Sequence, residues 1–147
     1  MTDSEAKWME HAKELLKNGG YTCVICAQSG TFTSTERGVK PLVRWLEQGM
    51  DFAEATVADK VVGKATAFLY RLLGVKAVYA AVISRAALQT LTDGGIAVEY
   101  DTLAEHIVNR QGDGICPFEQ ATLSLTDPQT AYAAIRRRMT AMGITLD

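Results

Sequence analysis

The sequence predicts an α/β fold of three layers: a mixed β-sheet, in which an N-terminal hairpin leads into parallel strands, with helices on both faces. Three observations predict it. Compact, β-prone apolar runs alternate with stretches of helical period from residue 53 onward. Glycines and prolines fall at the joints between them. The 147 residues, 48% apolar and 22% charged, have the make-up of one globular domain over 1–147. A chain of this length buries about two thirds of its extended surface and needs no staples to fold.

The elements follow in order. Residues 4–18 place Trp8, Ala12, Leu15 and Leu16 on one helical stripe that Gly19-Gly20 ends, with Ser4 as the expected cap and Lys7 where a capping box would carry glutamate. Residues 21–28 and 31–35, joined by Ser29-Gly30, read as a hairpin. Gly38 breaks the second strand, and Pro41 opens a short helix through Leu46 that stops near Gly49. A buried strand is expected over 53–58, then a helix over 60–73 closed by Gly74. A second β-α pair, 75–83 and 84–92, reaches the turn Asp93-Gly94-Gly95, and residues 96–100 form a further strand. Alternation of this length implies right-handed crossovers and parallel neighbours. Asp127-Pro128 starts a final helix through Met142, with Pro128 where a missing N–H is harmless. The first and last helices flank a core over residues 20–125.

Composition excludes several functions. A net charge of −2 is too balanced for a protein whose main task is gripping nucleic acid, and Arg136-Arg137-Arg138 reads as a solvated helix face. The N-terminal residues interleave charges with Trp8, Met9, Leu15 and Leu16, so no signal peptide is expected. The most apolar run, residues 77–83, is too short to cross a bilayer. Three cysteines, an odd number, suggest reduced thiols and a cytoplasmic protein without membrane contact. Cys23 and Cys26 have C-x-x-C spacing, but three positions apart on a strand they point to opposite faces. His11 and His106 lack the paired spacing of zinc ligands.

Three segments break local rules. In Ala58-Asp59-Lys60-Val61-Val62-Gly63-Lys64-Ala65, Asp59 reads as an N-cap, with Lys60 and Lys64 one turn apart on the helix it opens. Lysines there oppose the helix dipole, and Gly63 costs about 1 kcal/mol against alanine. An anion held at this helix start would account for all three residues; the plainer reading pairs Asp59 with a lysine and lets Gly63 permit close packing. In Glu36-Arg37-Gly38-Val39-Lys40-Pro41, Lys40 again precedes a helix and Arg37 could fork onto an anion, or Glu36 could pair with Arg37 or Lys40 on a solvated turn. In residues 109–119, Asn109 and Arg110 precede two glycines, and Cys116 stands as N-cap before Pro117, where a dipole would favour a thiolate; its plainer reading is a buried small hydrophobe. Glu119 reads first as a cap of its own turn and second as a ligand or proton-transfer group.

In that order, these three motifs resemble an uncharacterised bacterial family of unknown function placed within the cytidine-deaminase-like fold. The resemblance covers residues 20–125 and implies the same hairpin-then-β-α-β-α-β core. It departs from the zinc deaminases where their chemistry lies. They carry a His or Cys two residues before a glutamate and Pro-Cys-x-x-Cys on the next helix. Here the matching positions hold Asp59, Lys60 and Val61, then Ser84, Arg85, Ala86 and Ala87. The expected site is therefore free of metal and cofactor.

The function expected is the binding of an anionic small molecule, such as a nucleotide-like metabolite, by Arg37, Lys40, Asp59, Lys64, Asn109, Arg110 and Glu119. In an enzyme version Lys60 or Lys64 supplies electrostatic stabilisation and Cys116 the nucleophile. The alternatives are a sensing module without turnover and a structural or interaction domain whose charges pair internally. Trp45, Phe52 and Tyr132 would serve a homodimer, or the core.

Overall fold

Helix α1 (Asp3–Asn18) lies on one face of a five-stranded sheet, in a computed structural model that describes residues 3–146. Its stripe of Met9, Ala12 and Leu16 buries against Val24, Cys26, Ala58, Ala77 and Tyr79. Ser4 falls inside its first turn rather than ahead of it. Strands β1 (Cys23–Ala27) and β2 (Gly30–Ser34) form the expected antiparallel hairpin, with Ala27 opposite Gly30. Helix α2 (Lys40–Glu47) follows, with Pro41 in its first turn.

The sheet's centre is β3 (Thr56–Val62), antiparallel to β1 and parallel to β4 (Ala77–Ser84), which is itself parallel to β5 (Ala97–Ala104). The spatial order is β2-β1-β3-β4-β5. Helix α3 (Lys64–Leu73) joins β3 to β4, and α4 (Arg85–Asp93) joins β4 to β5. Both crossovers lie opposite α1 and pack together, while α5 (Pro117–Thr122) and α6 (Pro128–Ala141) pack on α3. The larger core sits between these helices and the sheet. It includes Ile25, Leu42, Phe52, Val57, Leu69, Val78, Ile83, Leu91 and Ile135, each fully buried. Burial of each such side chain contributes about 1.5–3 kcal/mol.

Several ends differ from the sequence expectation, most of all at β3, which begins at Thr56 and not at residue 53. Strand β3 does not stop at residue 58 but runs through Val62, so α3 opens at Lys64 with Gly63, not Asp59, as its N-cap. Asp59 is a strand residue in register with Cys23 on β1 and Ala80 on β4. The alternation that marks a strand slips here: Lys60 and Val61 are both exposed between buried Asp59 and Val62. On β4, Val82, the partner of Val61, and Ala81 before it are both half-buried between Ala80 and Ile83. Two successive outward residues erase the period-two signal, and an aspartate beside them imitates a cap. Strand β5 likewise continues past residue 100 to Ala104. Two helix starts are capped by side chains: Ser84 accepts from the Ala87 N–H at 3.1 Å, and Asp127, where the final helix was expected to open, from the Thr130 N–H at 2.8 Å.

Cys23 and Cys26 do face opposite layers, one toward the α3 side and the other toward α1. Phe52 is fully buried and packs against Phe32, tilted at 51°, and edge-on against Trp45, centroids 4.9 and 5.6 Å away. Tyr132 donates to Glu47, which also accepts from Arg136 at 2.9 Å.

Candidate functional site

Parallel strands place the first turns of their crossover helices together at the sheet's carboxyl edge, where ligands of open α/β sheets commonly lie. Here the first turns of α3 and α4 meet a buried carboxyl group, that of Glu119 on α5. Its Oε1 accepts from the Lys64 backbone N–H at 3.0 Å and from the Ser84 hydroxyl at 2.5 Å. Its Oε2 accepts from the backbone N–H of Ile107. Ser84 in turn caps α4, so one carboxyl group ties two helix starts to the loop after β5. The partial positive charge of a helix start favours such a negative group.

Gly63 gains its reason from this contact. It is extended, at φ −96° and ψ 178°, so it carries no helical cost. A β-carbon on it would lie 3.2 Å from Ile107 Cγ1 and 3.4 Å from Glu119 Oε1. Lys64, half-buried, sends its amine back to the Leu123 carbonyl at 2.7 Å and over the Phe68 ring. Burial lowers its pKa from the ordinary lysine value, against the opposing pull of Glu119 and Asp93.

A second buried group lies under α3. Asp59 Oδ2 accepts from the Tyr70 hydroxyl at 2.5 Å, and its Oδ1 from the Val61 N–H at 3.3 Å. The Tyr70 oxygen is also 3.2 Å from the Cys23 sulfur. Burial pushes the Asp59 carboxyl up to about 7, and raises Tyr70 and Cys23 well above their ordinary values.

A family profile described as a domain of unknown function, DUF1893 (TM1506), matches residues 11–139. The chain belongs to the DUF1893 family. The match takes in the second half of α1 and nearly all of α6, a wider span than the expected 20–125. The crystal structure of a DUF1893 family protein from Thermotoga maritima is similar over 96% of this chain and 92% of its own, at 26% identity and a TM-score of 0.79. None of the curated proteins matches. A bifunctional diaminohydroxyphosphoribosylaminopyrimidine deaminase/5-amino-6-(5-phosphoribosylamino)uracil reductase, also from Thermotoga maritima, is 16% identical with a TM-score of 0.41. It aligns over 80% of this chain and 40% of its own, too slight a likeness to carry an argument.

In this DUF1893 chain two of the residues expected to converge are in direct contact. Lys64 and Glu119 meet, through the lysine's backbone rather than its amine. Glu119 does not cap its own turn; it reaches across to α3 and α4. Lys60 lies on β3 with its side chain exposed, so it shares no helix face with Lys64. Asn109 closes its own loop, donating to Asp113 Oδ1 at 2.9 Å and accepting from the Asp113 N–H at 3.2 Å. Arg110 is exposed beside it. Cys116 is the N-cap of α5 as expected, half-buried, with no capping bond from its sulfur.

Lys40 stands 3.9 Å from Glu36, as the plainer reading had it. The stronger partner is Arg44, which the sequence reading did not consider. It forks onto both Glu36 oxygens at 2.5 and 3.2 Å and reaches the Leu146 carbonyl at 3.1 Å. The arginine beside Glu36 holds that carboxyl below the usual carboxylate range. Arg37 is exposed.

Two open grooves of about 360 and 330 Å³ lie elsewhere, the first lined by Tyr21, residues 33–36, Pro41, Arg44 and Trp45, the second along the outer face of α1. Neither contains any of the nine residues singled out in the sequence. Among the described residues no group of three His, Cys, Asp or Glu could hold a metal ion, and no helix is long and apolar enough to cross a membrane.

Proposed function

We propose that the domain works by binding without turnover, as a sensing module for an anionic small molecule of nucleotide-like chemistry. The observation that carries this reading is the internal use of the polar groups at the carboxyl edge. Both Glu119 oxygens are taken by Lys64, Ser84 and Ile107, the Lys64 amine by Leu123, and Asn109 by Asp113. A general base must reach the proton it removes, and these groups are already engaged. The cations left over are Lys60, Arg37 and Arg110, exposed and without an ion pair among the described residues. Lys60 follows from the outward step of β3, and Arg110 from the glycine loop that Glu119 anchors through Ile107. They offer an anion charge and hydrogen bonds, with no nucleophile required.

A thermal-shift screen with nucleotides and sugar phosphates tests this. A ligand at one hundred times its dissociation constant stabilises the fold by about 2.7 kcal/mol. The expected outcome is a shift that Lys60→Ala and Arg110→Ala each weaken, with the ligand recovered unchanged. Recovery of a product, lost on Cys116→Ala, would make the domain an enzyme. Absence of any shift across the screen would favour a structural domain.

A further inference from the structure

We propose that Cys23, Tyr70 and Asp59 form a proton-responsive relay, in which gain or loss of one proton at Asp59 reverses both side-chain hydrogen bonds and is felt by the β3 backbone at Lys60 and Val61. This goes beyond the binding reading and stands independently of it. The three groups come from β1, α3 and β3 and lie in one line. The sulfur is 3.2 Å from the phenol oxygen, and the phenol is 2.5 Å from the carboxyl.

Each member except the carboxylate can both donate and accept, so the line is satisfied in two directions. With Asp59 ionised, the thiol donates to Tyr70 and the phenol to Asp59. With Asp59 protonated, the carboxyl donates to Tyr70 and the phenol to the sulfur. The proton exchanged between these states comes from or goes to the solvent.

The groups facing the carboxyl are few. Helix α3 presents Tyr70, β1 presents Cys23 at the paired register, and β4 presents Ala80. No lysine, arginine or histidine among the described residues pairs with it. A buried carboxylate without a counter-ion is costly, which brings its titration toward neutral pH. The output lies at the other oxygen. Asp59 Oδ1 takes the Val61 N–H at 3.3 Å, a long bond that tightens onto a charged acceptor. Val61 and Lys60 form the outward step of β3, so the buried proton is linked to an exposed, cationic stretch of strand.

The test uses NMR on the full chain with labelled aspartate carboxyls, together with the infrared S–H band of Cys23 in a Cys26→Ala, Cys116→Ser background. Between pH 5 and 9 the Asp59 carboxyl, the Tyr70 ring and the amides of Lys60 and Val61 should move with one shared midpoint. The S–H band should fall in frequency above that midpoint, as the thiol becomes a donor. In Tyr70→Phe the carboxyl should still titrate, with its midpoint raised and the S–H response lost. An Asp59 carboxyl that does not titrate in this range would overturn the proposal. So would an S–H band that is unmoved, or that shifts equally in Tyr70→Phe.

Discussion

Glu119→Ala should destabilise the fold by about 3–5 kcal/mol and lower the melting temperature by about 10 °C, measured by urea and thermal unfolding. The substitution strips the acceptor from two backbone N–H groups, Lys64 and Ile107, and from the Ser84 hydroxyl. A buried donor left without a partner costs about 1–3 kcal/mol, and the side chain is 1% exposed, so water cannot easily replace it. Glu119→Gln is the sharper variant. It keeps the shape but turns one oxygen into an amide NH₂ that must face an N–H or O–H, donor against donor. A loss of about 2 kcal/mol is expected there. If Gln were neutral, the carboxyl group would not be the joint described above.

The second large effect is a stability that falls as pH rises. The Asp59 carboxyl sits at about 7 in the fold against 3.8 ordinarily, so the folded state favours the protonated form. Its contribution is therefore fully present below about pH 4, erodes as pH climbs through 7, and is constant beyond. Three units correspond to an upper bound of about 4 kcal/mol. Asp59→Asn, neutral at every pH, should be more stable than the natural chain at pH 8 by about 2–4 kcal/mol and lose that advantage near pH 4. Denaturation at the two pH values decides it. A natural chain that outlasts Asp59→Asn at pH 8, or a difference independent of pH, would contradict the assignment.

How much of this was legible in the sequence depends on distance along the chain. The layers, the hairpin and the parallel strands follow in kind and order from local period and from punctuation at Gly74, Gly94-Gly95 and Pro128, although β3 and β5 run on past the ends the periodicity set. The start of α3 was misplaced because its signal is tertiary. Asp59 resembles a cap until Tyr70, eleven residues on, is seen to bind it inside a strand. Lys64 and Gly63 did mark an unusual place, and a negative group does sit there. It is the chain's own Glu119, fifty-five residues away, which no local pattern pairs with them. Arg44 went unnoticed because an arginine eight residues beyond Glu36 carries no periodic signal of its partner. Cys23 and Tyr70 look like ordinary core residues, and only their shared contact with Asp59 distinguishes them.

The central claim, that the carboxyl edge is a closed joint made by the protein itself, is tested most directly by amide hydrogen exchange at Lys64, Ala87 and Ile107. If Glu119 and Ser84 hold these groups, the three should exchange only as slowly as the surrounding core and should quicken together in Glu119→Ala. Rapid exchange at Lys64 and Ile107 in the natural chain, unchanged by the substitution, would show an open edge and contradict it.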